Sequence, residues 1–309
     1  MNNFFSLSKQ TYYYFLFLFT FIPASFVIGP AISVGNVLLI DLSFIILLIY
    51  KKDYSFFRDK SLRYLLFLYV YLIFNSLISF DQNIGIVRNL GFIRLIIFFV
   101  AINYFFNKKL FFEKVFLGWS IFFVVILIDV FIESYSGKNI LGYGGGHAER
   151  LVSFFKDEPI IGGFINAFFL IIIGFLLNKS KSNYKEIIFL ISFVILLSIL
   201  LTGERSNTIK AFIAIIAFFF LYKEYSSKVK TILFVTTLSI ITLIIFNSSF
   251  LKLRYVNQIN DELKNYKENL YYKLQSSGFE TFNNHKIFGV GNKNYRLITC
   301  KENINPEGG

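Results

Sequence analysis

Residues 110–132 read LFFEKVFLGWSIFFVVILIDVFI, and this long apolar run decides the fold. A helix needs about 20 mostly apolar residues to cross the hydrocarbon core of a bilayer. Comparable runs occur at 11–29, 31–50, 62–80, 86–106, 159–177, 186–201, 207–222 and 231–246. The sequence therefore predicts an all-α, polytopic membrane protein with about nine transmembrane helices.

The composition agrees with a membrane protein. Of the 309 residues, 55% are hydrophobic, 42 are Phe and only 16% are charged, which is more apolar surface than one soluble core can bury. The single cysteine, Cys300, cannot form an internal disulfide. The sequence contains no nucleotide-binding P-loop, HExxH or GxSxG motif, so nucleotide hydrolysis, zinc proteolysis and serine hydrolysis have no support.

Basic residues are concentrated in four of the connections between the apolar runs. They are Lys51, Lys52, Arg58, Lys60 and Arg63; Lys108 and Lys109; Lys179, Lys181 and Lys185; and Lys223, Lys228 and Lys230. With a cytoplasmic amino terminus, all four connections face the cytoplasm, as the positive-inside rule requires. This distribution accounts for most of the net charge of +12, so we do not expect nucleic acid as a partner.

The same topology divides the chain into two parts. Residues 1–246 form the predicted transmembrane domain, which includes an external loop at 133–158, and residues 247–309 form an external segment. In this segment Leu263, Tyr266, Leu270 and Leu274 follow helical spacing. They predict a helix that either lies on the membrane surface or covers a cavity.

Several charged residues lie on the predicted external side, just before apolar runs that are expected to form helices. Arg150, Lys156, Asp157 and Glu158 precede the sixth run, and Arg205 lies in the turn before the eighth run. Charge at the mouth of a membrane helix must be paired or hydrated, which makes it a candidate functional site.

Two further arginines, Arg88 and Arg94, lie towards the external end of the fourth run. Because the planar guanidinium group binds phosphate oxygens in pairs, the arginines together predict a site for an anionic lipid head group, especially a diphosphate.

Several of these residues also have a purely structural interpretation. Arg88 and Arg205 lie close to helix ends, where a long side chain can extend to the interface. Glu158 followed by Pro159 is typical of a helix start. Arg94 lies deeper, so we expect it to face the helix bundle or a wet cavity, and Asp41 and Asp129 are candidate partners for the arginines.

Short motifs occur in the order seen in a known superfamily. They are found at 129–143, 150–163, 202–205 and 287–291, with weaker similarity at 28–31 and 92–94. In these features the chain resembles the O-antigen ligase and polymerase superfamily of bacterial membrane proteins.

The resemblance implies a GT-C-type glycosyltransferase of the inner membrane that needs no metal or cofactor. Its donor is an undecaprenyl-diphosphate-linked glycan and its acceptor is a second glycan, either free or lipid-anchored. By this resemblance Arg150 and Arg205 stabilise the charge on the leaving diphosphate, Glu158 orients an arginine or the loop, and Arg94, Arg88 and Lys156 bind substrate.

The sequence departs from the family pattern at its carboxyl end. Members of the family continue into a histidine-containing segment and further spans, whereas this sequence ends at Gly309. We therefore expect a truncated chain and leave two alternatives to an active polymerase or ligase. One is a non-catalytic fragment, and the other is a transporter or flippase of lipid-linked sugars.

Overall fold

The computed structural model describes residues 8–52, 56, 59–145, 150–156, 158–179, 185–221 and 226–301. Within these ranges the chain is helical and contains no β-strand. The helices are, in chain order, α1 (Lys9–Thr20), α2 (Ile22–Ile28), α3 (Pro30–Lys51), α4 (Lys60–Leu77), α5 (Gln82–Leu90), α6 (Ile93–Phe106), α7 (Lys109–Ser136), α8 (Ile161–Lys179), α9 (Lys185–Leu201), α10 (Arg205–Leu221), α11 (Ser227–Asn247), α12 (Ser249–Lys252), α13 (Gln258–Lys264), α14 (Leu270–Asn284) and α15 (Tyr295–Lys301). The predicted all-α class is confirmed.

Among the described residues, five helical segments are long and apolar enough to cross a membrane. They are Pro30–Lys51, Gln82–Phe106, Lys109–Ser136, Ile161–Asn178 and Lys230–Asn247. The bent pair α1 and α2 gives a sixth segment if it forms one span. The protein is therefore a multi-pass membrane protein.

Helices also occupy the other predicted runs, but these helices do not meet the same criteria. Both α9 and α10 have 17 residues, and α4 begins with a polar turn that contains Lys60 and Arg63. A helix that short reaches across a hydrocarbon core of about 30 Å only where the bilayer thins or flanking residues extend to the interface. Length and composition thus support fewer spans than the nine predicted.

A proline causes the bend of 47° between α1 and α2. Pro23 lies in the first turn of α2 and has no N–H group to donate to the Phe19 carbonyl four residues earlier. The Nε1–H group of Trp119 on α7 donates to that carbonyl instead, at 2.9 Å. The Trp119 ring also contacts Phe168 on α8 edge to face. The carbonyl left without a helical partner at the bend therefore accepts a hydrogen bond from a side chain of another helix.

The chain forms two compact units, and the first contains Met1–Ser33 and Glu113–Asp261. In this unit α8 packs against α9 and α10. Its apolar core contains residues from α7 to α11, including the fully buried Ile126, Ile165 and Ile199. Burial of such side chains contributes about 1.5–3 kcal/mol each in water, but between helices in lipid the gain comes mainly from close packing.

The second unit contains Val34–Phe112 and Glu262–Gly309. Helix α4 packs against α5 and α6. Three fully buried aromatic side chains hold α3, α6 and the start of α7 together: the Phe105 ring lies 6.1 Å from Phe44 and 5.1 Å from Phe111, measured between centroids.

The structure corrects one prediction about the segment after α11. Leu263 and Leu274 lie in different helices, because α13 ends at Lys264 and α14 begins at Leu270. Asn269 starts α14 by accepting a hydrogen bond from the backbone N–H of Tyr271 at 2.9 Å. The four residues with helical spacing, Leu263, Tyr266, Leu270 and Leu274, therefore do not form one face of a single helix.

The first turn of α8 lies against the turn between α9 and α10 at a glycine. A Cβ atom at Gly162 would lie 2.7 Å from the Thr202 hydroxyl oxygen and 2.9 Å from Cδ of Glu204. Both neighbours are themselves buried, so neither can move away easily. Only a residue without a side chain fits this contact.

We expect Gly162→Ala to destabilise the protein by about 1–3 kcal/mol, the usual cost of overpacking. Gly174→Ala is a matched control in the same helix, because a Cβ atom at Gly174 meets nothing within 4 Å. That substitution should be neutral or should stabilise by about 0.5–1 kcal/mol. The midpoint of thermal unfolding in detergent measures both effects. Equal midpoints for the two variants would contradict the contact.

Candidate functional site

Two carboxylates of α7, one helical turn apart, hold the connection between α7 and α8. Asp129 and Glu133 are buried, with exposures of 0% and 1%. The Glu133 carboxylate accepts hydrogen bonds from the backbone N–H groups of Val152 and Ser153, at 3.0 and 2.6 Å. The Asp129 carboxylate accepts from the Ser153 hydroxyl at 2.6 Å and from the backbone N–H of Ile140 at 2.9 Å. Two points of the connection are thus fixed to one face of α7.

These contacts replace the arginine partner that the sequence suggested for Asp129. A buried carboxylate is stable only when hydrogen-bond donors surround it. For Asp129 the hydroxyl, amide and backbone groups of the connection supply those donors, and the Asn139 side chain adds a longer contact at 3.5 Å. Asn139 also donates to the Ser153 carbonyl at 2.7 Å, so the connection is cross-linked to itself. The Asp129 prediction is therefore wrong.

A third buried carboxylate lies in the turn between α9 and α10. The two carboxylate oxygens of Glu204 accept hydrogen bonds from the backbone N–H groups of Gly162 and Gly163, at 2.7 and 3.1 Å. The first N–H groups of a helix have no partner inside it and favour a negative charge. Glu204 therefore caps α8, whereas Glu158 is exposed and precedes the helix by three residues.

A cavity of about 380 Å³ lies beside these carboxylates in the first unit. Its lining includes Glu133, Arg150, Leu201, Ser248, Phe250 and Leu251. Both Glu133 oxygens already accept backbone hydrogen bonds. Among the described lining residues, Arg150 carries the positive charge. The cavity thus combines apolar walls with one guanidinium group.

Arg150 has unused hydrogen-bonding capacity. One terminal N–H group donates to the Pro159 carbonyl at 2.8 Å, while the Nε atom is buried without a partner. A buried donor left without a partner costs about 1–3 kcal/mol. The stem of the side chain lies beside the next turn, because a Cβ atom at Gly203 would be 3.8 Å from Cγ of Arg150. An anion in the cavity can supply the missing acceptor.

Ser248, Phe250 and Leu251 form one wall of the cavity, and residues 252–258 hold this wall in place, a role that the sequence did not indicate. The Phe250 ring covers Gly203, which has a φ of +72°. Arg254 donates to the Gly203 carbonyl through two N–H groups, at 3.3 and 3.1 Å. The Tyr255 hydroxyl forms hydrogen bonds with the Thr208 hydroxyl at 2.7 Å and the Leu200 carbonyl at 3.2 Å. These contacts fasten the wall to the turn between α9 and α10.

Burial raises the pKa of Tyr255 to about 12. Its phenol is therefore protonated at neutral pH and cannot act as a base there. The sequence gives only a weak signal for this wall. Arg254 and Tyr255 lie in a π-helical turn, Leu253–Asn257, which follows a long apolar helix and is not marked by a sequence motif. Such turns are frequent at functional sites.

The other predicted residues of this unit lie outside the cavity lining. Arg205 is the first residue of α10 and is half-buried, and its charge acts on the Tyr255 hydroxyl. Lys156 is exposed. Asp157 lies outside the described residues. Arg150 nevertheless lies near the turn that leads to Arg205, since the Arg150 stem is beside Gly203, two residues before Arg205.

Arg88 and Arg94 belong to the second unit. Both are exposed, in the last turn of α5 and the first turn of α6 respectively. Arg94 is exposed and does not face the interior of its own unit, contrary to what the sequence predicts. Its charge acts on Asp41, but both carboxylate oxygens of Asp41 are buried without a hydrogen-bond partner among the described residues.

We expect Asp129→Asn to loosen the connection between α7 and α8. It replaces a charge-assisted hydrogen bond, worth about 1.5–3 kcal/mol, with a weaker one. Tryptic cleavage after Lys138 or Arg150 should become faster. Asp59→Asn is the control, because Asp59 caps α4 by accepting from the Ser61 N–H, and asparagine caps equally well. Unchanged cleavage of the Asp129 variant would contradict the anchoring role.

A comparison with known families gives a match in the carboxyl-terminal part of the chain, which includes the Glu204 turn and the cavity wall. Residues 187–307 match the family model described as O-antigen ligase. Comparisons with curated proteins and with solved structures give no match. Arg150 and the carboxylates of α7 precede the matched region. The match over residues 187–307 supports the resemblance to the O-antigen ligase and polymerase superfamily.

Proposed function

We propose that this protein transfers a glycan from an undecaprenyl-diphosphate carrier to an acceptor glycan in the synthesis of surface polysaccharide, as an O-antigen polymerase or ligase. The family match supports a reaction of this type. The observation that carries the proposal is the Arg150 guanidinium group, which lines a cavity and has a buried Nε without a partner. A lipid diphosphate offers the paired phosphate oxygens that this group binds best.

In the proposed reaction an acceptor hydroxyl oxygen attacks the anomeric carbon of the donor sugar. The bond from that carbon to the diphosphate oxygen breaks, and its electron pair stays on the diphosphate. The hydroxyl proton passes to water or to the diphosphate. Arg150 stabilises the growing negative charge through hydrogen bonds that become stronger as the bond breaks, which is electrostatic catalysis. This step uses no metal or other cofactor.

We assign a second catalytic role to Arg205. The Gly203 contact brings the Arg150 stem close to the turn that carries Arg205, and a second guanidinium group there can act on the same diphosphate. Glu158 and Lys156 are exposed before α8 and are proposed to orient the connection and to attract the anionic donor.

Arg88 and Arg94 are proposed to bind anionic lipid on the second unit. Both side chains are exposed between the amino-terminal end and the middle of the span Gln82–Phe106, from which a long arginine side chain can extend to a phosphate head group.

The membrane placement is part of the same proposal. We propose nine spans in a GT-C-type arrangement in the bacterial inner membrane, with a cytoplasmic amino terminus and residues 247–309 in the periplasm. The distribution of Lys and Arg among the connections supports this orientation, and helices at all nine apolar runs support the count.

Arg150→Ala should lower glycan transfer in proteoliposomes. Loss of a charged hydrogen bond worth about 1.5–3 kcal/mol corresponds to roughly 10- to 150-fold. Arg150→Lys keeps the charge but loses the planar fork, so we expect an intermediate loss. Arg63→Lys and Arg63→Ala, at an exposed position in α4, are matched controls that should keep full transfer.

The unfolding midpoint of each Arg150 variant separates a catalytic loss from a structural one, because Arg150 also binds the Pro159 carbonyl. Full transfer by a folded Arg150→Ala protein would refute the assignment. Transport of the lipid-linked donor without glycosidic bond formation would support the transporter instead.

A double-mutant cycle tests whether Arg150 and Arg205 act on the same group. If both bind one diphosphate, the loss of transfer in the double variant should be smaller than the product of the two single losses. Independent effects that multiply would place the two arginines at separate steps.

A further inference from the structure

Helix α14 buries polar residues and exposes aromatic ones, which is the reverse of an ordinary surface helix. Its buried residues are Ser277 and Thr281, each 4% exposed. Its aromatic side chains Tyr271, Phe279 and Phe282 are 66%, 66% and 56% exposed. At 100° per residue these three side chains share one side of the helix, directed away from Ser277 and Thr281. The polar side of α14 therefore packs on the protein, while the aromatic side is largely exposed among the described residues.

The inner, polar side is held by hydrogen bonds. The Ser277 hydroxyl and the Tyr295 hydroxyl on α15 lie 2.7 Å apart, and Tyr295 also donates to the Leu274 carbonyl at 3.3 Å. Because both hydroxyl groups have partners, the helix cannot rotate its aromatic side inwards without breaking these bonds. The outward direction of the aromatic side chains is thus built into the packing of α14 on α15.

The chain that follows α14 is fastened to one end of a membrane span. The Asn75 side chain donates to the Phe288 carbonyl at 2.6 Å. The Asn294 side chain accepts from the backbone N–H of Asp81 at 2.7 Å, and Asp81 directly precedes the span Gln82–Phe106. Asn292 donates to the Asn89 side chain at 2.7 Å. These amides hold the segment that follows α14 against α4 and the amino-terminal end of that span.

The same contacts suit a position with little water. Irregular backbone near the hydrocarbon must have its N–H and C=O groups satisfied by protein. Here side-chain amides bind the carbonyls of Phe288, Asp81 and Asn292. Asn89 and Asn294 are 3% and 0% exposed.

We propose that α14 lies in the interfacial layer of the bilayer, with Tyr271, Phe279 and Phe282 towards the acyl chains. Aromatic side chains favour this layer, and a helix of this kind penetrates the boundary by about 5–10 Å. The exposed Lys267 and Lys286, which precede and follow α14 in the chain, can reach lipid phosphates. Two other groups could bind an exposed aromatic side, namely a glycan or a second copy of the chain. Neither would require the aromatic side to lie at the end of a span, whereas lipid would.

Site-directed spin labelling in proteoliposomes of phosphatidylethanolamine and phosphatidylglycerol tests this proposal. Cys300, the one cysteine of the sequence, is exposed and is replaced by Ser so that it carries no label. Labels are then attached to Phe279→Cys, Phe282→Cys and the control Lys273→Cys, which lies on another side of α14. Their collisions with oxygen, which concentrates in lipid, are compared with collisions with a water-soluble nickel complex.

We expect the labels at 279 and 282 to collide preferentially with oxygen, and the label at 273 to collide preferentially with nickel. Preferential nickel collisions at 279 and 282 would overturn the proposal, since the aromatic side would then face water and be available to a glycan. Low collision with both reagents would also overturn it, because protein, such as a second copy of the chain, would cover the helix. The proposal does not depend on glycan transfer, so loss of either leaves the other standing.

Discussion

Where backbone leaves a helix near a membrane, its N–H groups have few water molecules to bind, and buried carboxylates meet that requirement in this protein. Glu133 binds two N–H groups of the connection after α7, and Glu204 binds two N–H groups in the first turn of α8. Such a carboxylate is tolerated only while its donors stay in place, so the two partners fix each other. The positions of the connection, of α8 and of the turn after α9 all depend on these contacts.

The cavity is a consequence of this arrangement. Glu133 contributes its wall on the α7 side, and Arg150 enters it two residues before the N–H group of Val152 that Glu133 binds. On the other side, the Glu204 turn positions Gly203. Arg254 and Phe250 contact Gly203 and thereby hold the remaining wall in place. Among the described lining residues, one positive group thus lies in a largely apolar space beside a carboxylate whose two oxygens already accept backbone hydrogen bonds. Preorganisation of this kind is what electrostatic catalysis needs.

The sequence predicted the helices well because a long apolar run needs no knowledge of its neighbours. It also drew attention to Arg150, which the structure places in the cavity lining, since an arginine at the mouth of a membrane helix is unusual in itself. It could not predict that Glu204 caps α8, because the two are 42 residues apart in sequence and meet only through helix packing. Glu158, next to Pro159, was the natural local choice. Asp129 was misread for the same reason, as its donors come from a connection whose path the sequence does not reveal.

The contact that satisfies the bend between α1 and α2 has a practical consequence. Trp119 is the one tryptophan of the sequence, and it is buried with its Nε1–H group bonded to the Phe19 carbonyl. Its intrinsic fluorescence therefore reports the environment between α1, α7 and α8 without any label. The second unit contains no tryptophan, so a shift of the tryptophan emission would follow the loss of the first unit alone.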